Sequence, residues 1–265
     1  MSAGSPEGYD QVALGAALVV ARKEQLETVR SALASGTLYE YAARHPQARP
    51  LAGRGIAYAV PLPSGVPVVV RHNRHGGLLA PITGDRFLAP TRAPRELATA
   101  LRLTACGVPT PEIVAYVVYP AGPLLRRSDV ASREVPDSVD LAAVLTGGSV
   151  AERRGALAAA TSLIALLCSC GARHHDLNVK NVLLAPRGAA APTAYVLDVD
   201  RVEFGRPRDS RVTEGNLERF MRSARKWRAL HDARVDETEL ARVAASVRRF
   251  VASSSSSGAP ERTRS

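Results

Sequence analysis

Cysteine is scarce in this chain: Cys106, Cys168 and Cys170 are the only three in 265 residues. They do not form the repeated ligand pairs of a structural zinc site, and Cys168-Ser169-Cys170 is too closely spaced to supply one half of it. The three thiols are therefore expected to be free and buried. With no secretory leader visible, that expectation fits a reducing cytoplasmic location. Long apolar runs are also missing. The longest nearly apolar stretch, Ala156 to Cys170, falls short of a membrane span and reads as a core helix, and the shorter patch Val12 to Ala21 reads as part of the fold. There is no internal repeat and no recurring aromatic-plus-basic pattern of the kind found in nucleic-acid-binding modules, so nucleic acid is not expected as a partner. Acidic residues are outnumbered, 25 Asp plus Glu against 35 Lys plus Arg, for a formal charge of +10. Such an excess favours an anionic partner, whether nucleotide, phosphorylated lipid or membrane surface. Most of the cations are arginines, whose planar fork matches phosphate and carboxylate.

The order of elements suggests two lobes. The first ten residues look loose, and Glu24 to Ser35 reads as a short helix ending at Gly36. Ile56 to Val60 and Val66 to Arg71 read as a hairpin, with Pro61, Pro63 and Gly65 confined to its turn. A helix over Pro94 to Ala105 is stopped near Gly107 and Pro109, and strands follow around Ile113 to Tyr119 and Asp129 to Val135. Past a hinge at Pro136-Asp137-Ser138 the pattern becomes helical: Val139 to Leu145, Glu152 to Cys168, Asn216 to Leu230 and Glu237 to Val251, interrupted by strands at Val182 to Leu184 and Tyr195 to Leu197. The serine-rich end reads as a disordered tail. The expected organisation is an N-terminal extension over 1–34, a small strand-rich lobe over 35–136, a larger helical lobe over 137–252 and a tail over 253–265, with a nucleotide bound between the lobes.

Chemistry concentrates in His174-His175-Asp176-Leu177-Asn178-Val179-Lys180-Asn181 and, seventeen residues past Asn181, in Asp198 at the end of Tyr195-Val196-Leu197. Polar residues in this order, each set followed by apolar strand-like residues, suit the catalytic loop and metal-binding strand end of a kinase-like phosphotransferase. Asp176 is the candidate to orient an attacking hydroxyl and accept its proton. Asn181 offers a neutral carbonyl oxygen to magnesium, and Asp198 a hard anionic one. The structural alternative, in which Asp176 and Asn181 cap turns and Asp198 ends a strand, leaves their combined order unexplained. His174 reads as a support for the loop and His175 as packing; Asn178 is a candidate for substrate contact or loop stabilisation. Lys180 either meets substrate phosphate or faces solvent, and Arg201 is a candidate partner for Asp200 or Asp176.

In the first half, Gly53 and Gly55 flank Arg54 ahead of a strand, where missing side chains would let backbone amides approach nucleotide phosphates. Arg71, ending Val68-Val69-Val70, is the candidate cation for those phosphates, and Glu96 on the next predicted helix would orient it through an ion pair. The basic segment from Arg71 to Arg86, with Gly76-Gly77 inside it, reads as a mobile loop able to close over an anion.

Taken together, these residues resemble the lipopolysaccharide kinase family, in particular its branch acting on 3-deoxy-D-manno-octulosonic acid (Kdo). The resemblance rests on Gly53 to Gly55, Val68 to Leu88, Arg95 to Tyr116, the loop from His174, Tyr195 to Gly205 and Asn216 to Trp227. It covers roughly residues 35 to 250. It implies an α+β, bilobal, protein-kinase-like fold that uses ATP and Mg2+ to phosphorylate a Kdo hydroxyl, typically the 4-hydroxyl, on Kdo-lipid A. It also implies peripheral association with the cytoplasmic face of an anionic inner membrane. By motif position Asp176 matches the catalytic aspartate, Asn181 and Asp198 the metal ligands, and Glu96 the helix glutamate. Arg71 stands where many protein kinases have lysine, which changes reach and hydrogen-bond geometry. Val199 and Asp200 replace the Phe-Gly that usually follows the metal aspartate. Arg219, Arg222, Arg225 and Lys226 are candidates to guide an anionic acceptor. The competing readings are a lipopolysaccharide heptose kinase or other small-molecule kinase, and an inactive, pseudokinase-like membrane scaffold.

Overall fold

Tyr9–Leu14 (β1) and Ala17–Arg22 (β2) form an antiparallel hairpin around Gly15, whose φ of +57° suits a residue without a Cβ. In this computed structural model, which describes residues 6–51, 56–73, 87–88, 91–188 and 190–253, regular structure thus begins inside the stretch expected to be loose. The anchor is Tyr9, whose buried hydroxyl donates to the carbonyl of Ile113 at 2.5 Å. The helix expected over 24–35 is Leu26–Ala32 (α1), with a 3₁₀ turn at each end, and it stops at Gly36 as foreseen. Leu38–Arg44 (α2) follows. Its start carries a reciprocal cap: Glu40 N donates to Thr37 Oγ1 at 3.1 Å and Thr37 N to Glu40 Oε2 at 2.9 Å.

Arg49–Leu51 (β3), Ala57–Pro61 (β4), Pro67–His72 (β5) and Phe87–Leu88 (β6) precede Arg92–Ala105 (α3), and Ile113–Pro120 (β7) and Leu125–Arg133 (β8) complete an eight-stranded sheet. Every pairing is antiparallel, in the order β1-β2-β7-β8-β5-β4-β3, with β6 also on β8. The β4–β5 turn holds Pro63 and uses Gly65 at φ +84°, whereas Pro61, expected in the turn, is the last residue of β4, opposite Pro67. Val19, Val29, Leu38, Leu62, Val68, Val70, Val114 and Val117 pack as the core that joins this sheet to α1 and α2. Residues 1–100 and 111–134 make up this first unit.

The second unit takes residues 101–110 and 135–265, so the division falls inside α3. Its elements are Val139–Asp140 (β9), Leu141–Gly147 (α4), Val150–Ser169 (α5), Ala172–His174 (β10), Val182–Arg187 (β11), Ala190–Val196 (β12), Val202–Phe204 (β13), Ser210–His231 (α6) and Glu237–Ser253 (α7). Asp140 caps α4 and a Ser149–Glu152 box caps α5. The helix expected over Ala156 to Cys170 is the buried centre of the unit: Leu163, Ile164 and Leu167 are at most 1% exposed. α5 packs on α4, α6, α7 and β12. One unit rich in strands and one rich in helices make the bilobal α+β architecture expected from the sequence. Among the described residues no helix is long and apolar enough to cross a membrane.

The cysteines differ from expectation. Cys106, just past α3, and Cys170, the C-cap of α5, form a disulfide with Cα atoms 5.9 Å apart, and only Cys168 is free and buried. The two helix ends meet in space although 64 residues separate them, and sequence spacing carries no trace of that. Closing so long a loop restricts the unfolded chain, so C106S is expected to cost the oxidised protein about 2–4 kcal/mol. Urea denaturation should show that loss, and addition of a thiol reductant should bring the wild type down to the variant's midpoint.

Candidate active site

His174 ends β10 and is completely buried. Its backbone N–H donates to Asn216 Oδ1 at 2.9 Å, its Nε2 lies 2.9 Å from the carbonyl of Leu197, and its Nδ1 accepts from Asp176 N at 3.1 Å. One ring nitrogen must donate and the other accept, which assigns a neutral imidazole protonated on Nε2. Burial agrees with this, holding the imidazole pKa below its usual value although the carboxylates of Asp198, Asp176 and Asp200 pull the other way.

The loop past His174 is shaped by its own side chains. Asn178 caps the 3₁₀ turn Val179–Asn181, its Oδ1 accepting from Lys180 N at 2.9 Å and Asn181 N at 3.0 Å. Its Nδ2 reaches back 3.3 Å to both the carbonyl and Oδ1 of Asp176. Asn181, 8% exposed, donates from Nδ2 to the Asp176 carbonyl at 2.9 Å. That bond commits its nitrogen inward and fixes which way its amide oxygen points. Leu197 N then donates to the Asn181 carbonyl at 2.9 Å, which ties the loop to the segment entering Asp198. Asp198 itself adopts a left-handed backbone, φ +53° and ψ +46°, an unusual conformation that turns the chain sharply between β12 and the next 3₁₀ turn. Asp176, Asn181 and Asp198 are therefore linked through one hydrogen-bonded frame.

Helix α6 supports that frame along a single face. Asn216, Ser223 and Trp227 follow at helical spacing. Asn216, fully buried, also donates to the Ala172 carbonyl at 2.8 Å; Ser223 Oγ accepts from Val179 N at 3.1 Å. Between them Arg219 Nη2 lies 3.7 Å from Asp176 Oδ1. Lys180 is held within the unit: Nζ pairs with Asp140 Oδ2 at 2.9 Å and stands 5.5 Å from the centre of the Trp227 ring. His175 Nε2 is 2.9 Å from Glu203 Oε2. Gly171 allows the approach to β10, since a Cβ there would come within 2.6 Å of the Gly205 carbonyl.

In the first unit Arg71 and Glu96 make the ion pair expected of them, with Glu96 buried on α3. Arg71 Nη1 also donates to Asn73 Oδ1 at 3.0 Å, and buried Asn73 is in turn held by Ser128 through its backbone and its side chain. The guanidinium is thus fixed on two sides. Gly53 and Gly55, and the basic segment from Arg74 to Arg86, lie outside the described residues.

No group of three or more His, Cys, Asp or Glu that could hold a metal gathers among the described residues. The pair Asn181 and Asp198 nevertheless suits magnesium. Mg2+ binds hard oxygens, commonly takes only one or two protein ligands and completes its shell with water and phosphate. A thiolate- or imidazole-rich cluster is not what it requires.

The profile described as "Lipopolysaccharide kinase (Kdo/WaaP) family" matches residues 46–251. The chain belongs to this family. A 3-deoxy-D-manno-octulosonic acid kinase of Stenotrophomonas maltophilia (strain K279a) is 33% identical over 212 residues, covering 74% of this chain and 78% of the relative. A protein of the same name from Vibrio parahaemolyticus serotype O3:K6 (strain RIMD 2210633) is 29% identical over 178 residues, 66% of this chain and 71% of its own. The solved structure described as "WaaP in complex with acyl carrier protein" superposes with a TM-score of 0.52 at 17% identity, covering 86% of this chain and 90% of that one. Its likeness shows a shared protein-kinase-like fold. Membership in the Kdo/WaaP family carries ATP-dependent phosphoryl transfer as its chemistry and implies the use of ATP and Mg2+. The family match begins after β1, β2, α1 and α2. Sequence reasoning did not single out Asn216 or Ser223 by role; two uncharged polar residues seven apart, flanking Arg219 on the same helix, were the available signal.

Proposed function

We propose that this chain transfers the terminal phosphate of ATP to a hydroxyl of Kdo, the 4-hydroxyl, on Kdo-lipid A at the cytoplasmic face of an anionic inner membrane. The observation that carries the reading is the hydrogen-bonded frame of Asp176, Asn181 and the segment into Asp198, found in a chain whose relatives are Kdo kinases. Asp176 orients the attacking hydroxyl and takes its proton, aided by an Asn178 amide that holds Oδ1 in place. Asn181 and Asp198 hold the metal through oxygen. Magnesium, when bound, neutralises charge on the phosphates. Arg71, steadied by Glu96 and Asn73, meets the nucleotide phosphates, with the backbone at Gly53 and Gly55 assisting. Arginine here offers two parallel donors where an ammonium would offer a point charge. The net charge of +10 favours residence at an anionic surface.

Mass spectrometry of purified Kdo-lipid A after incubation with the protein, ATP and magnesium is expected to show addition of a single phosphate on Kdo. Phosphate found only on heptose-containing core would make the chain a heptose kinase, and nucleotide binding with no transfer to either acceptor would favour a scaffold.

A further inference from the structure

Helix α6 carries five arginines, Arg211, Arg219, Arg222, Arg225 and Arg228. Three of them are locked into ion pairs away from the loop: Arg222 with Glu218, and Arg225 and Arg228 both with Glu237 at 2.8 and 2.7 Å. The nearby Lys180 is likewise committed to Asp140. Arg219 differs in that its acidic neighbour is Asp176 itself, at a loose 3.7 Å, while its side chain is 41% exposed. A guanidinium has five N–H donors, and one long contact to Asp176 Oδ1 cannot use them all. The flanking contacts of Asn216 and Ser223 with the loop fix the helix on both sides of Arg219, so its base cannot drift from Asp176.

Resting on the reading given above, we infer that Arg219 is a specificity-determining residue: it selects acceptor alcohols that carry an anionic group within reach of the reacting hydroxyl. A hydroxyl brought to Asp176 places its neighbouring substituents against this guanidinium. A carboxylate or phosphate there gains a charge-assisted contact, and a neutral substituent leaves the cation to Asp176 alone. The selected anion has two sources in the proposed acceptor, the Kdo carboxylate and the lipid A phosphates, and the chemistry of recognition is the same for both.

The test measures kcat/KM for wild type, R219Q and R219K on three acceptors: Kdo-lipid A, its Kdo carboxamide and its dephosphorylated lipid A counterpart. Wild type is expected to prefer the fully charged acceptor over one of the neutralised forms by about 10- to 100-fold, the range for a hydrogen bond to a charged group. The form that suffers identifies the anion. R219Q should erase that preference by losing activity on the charged acceptor, while R219K should keep part of it. Thermal unfolding of each variant separates loss of fold from loss of selection. If R219Q lowers turnover of all three acceptors equally, Arg219 only props up Asp176 and the inference falls. An active wild type without any preference also overturns it, whereas a wild type that phosphorylates none of them overturns the proposed function and the inference together.

Discussion

Replacing Asp176 with alanine is expected to lower the rate of phosphoryl transfer by about 10²- to 10⁴-fold, the usual contribution of a positioned proton acceptor, while ATP affinity remains near that of wild type. The two effects separate because Asp176 sits in a loop held mainly by other atoms. Its backbone N–H is bound by His174 and its carbonyl by Asn181 and Asn178, and none of these bonds uses the carboxylate that alanine removes. The loop therefore keeps its path in D176A, and Asn181 and Asp198 keep theirs. D176N sharpens the test. It keeps the shape of the side chain but cannot accept a proton at the ordinary pH of assay, so it should be nearly as slow as alanine. Single-turnover transfer to Kdo-lipid A and equilibrium nucleotide binding, measured side by side, check the prediction. Comparable turnover in wild type and D176A would remove Asp176 from the reaction.

Much of this site was legible in the sequence because it is local. The order His174, Asp176, Asn181 and Asp198 lies within 25 residues, and short-range hydrogen bonds from Asn178 and Asn181 shape the loop from within. The hairpin β4–β5 was legible for a similar reason, since proline and glycine restrict the backbone directly. Helix α2 had a signal that went unused, the Thr37–Glu40 pair that caps it. What remained hidden depends on contacts between distant segments. Tyr9 finds a carbonyl 104 residues away, which makes a strand of a region that looks featureless. The bond between Cys106 and Cys170 depends on where two helices end, and no spacing rule reports that. The role of α6 is hidden in the same way: its periodicity announces a helix, while the identity of the segment under its polar face follows only from tertiary packing.

That packing makes Asn216 the position where a small change should cost most in stability. Asn216 is fully buried, its oxygen accepting from His174 N and its nitrogen donating to the Ala172 carbonyl and lying 3.6 Å from Cys168 Sγ. Alanine would strip partners from two buried backbone groups at once, at about 1–3 kcal/mol each, so N216A is expected to lose about 2–5 kcal/mol. Aspartate is nearly the same size and keeps the acceptor for His174 N, yet it sets an oxygen against the Ala172 carbonyl and buries a charge. N216D should therefore be no more stable than N216A, despite filling the space better. The loss should also reach the chemistry, because the Ala172–His174 strand carries the imidazole that holds Asp176 N. Denaturant midpoints for both variants test the order, and turnover at a temperature where each stays folded tests the link. A stable N216D would mean that the amide nitrogen contributes little and that α6 holds the loop through its apolar contacts instead.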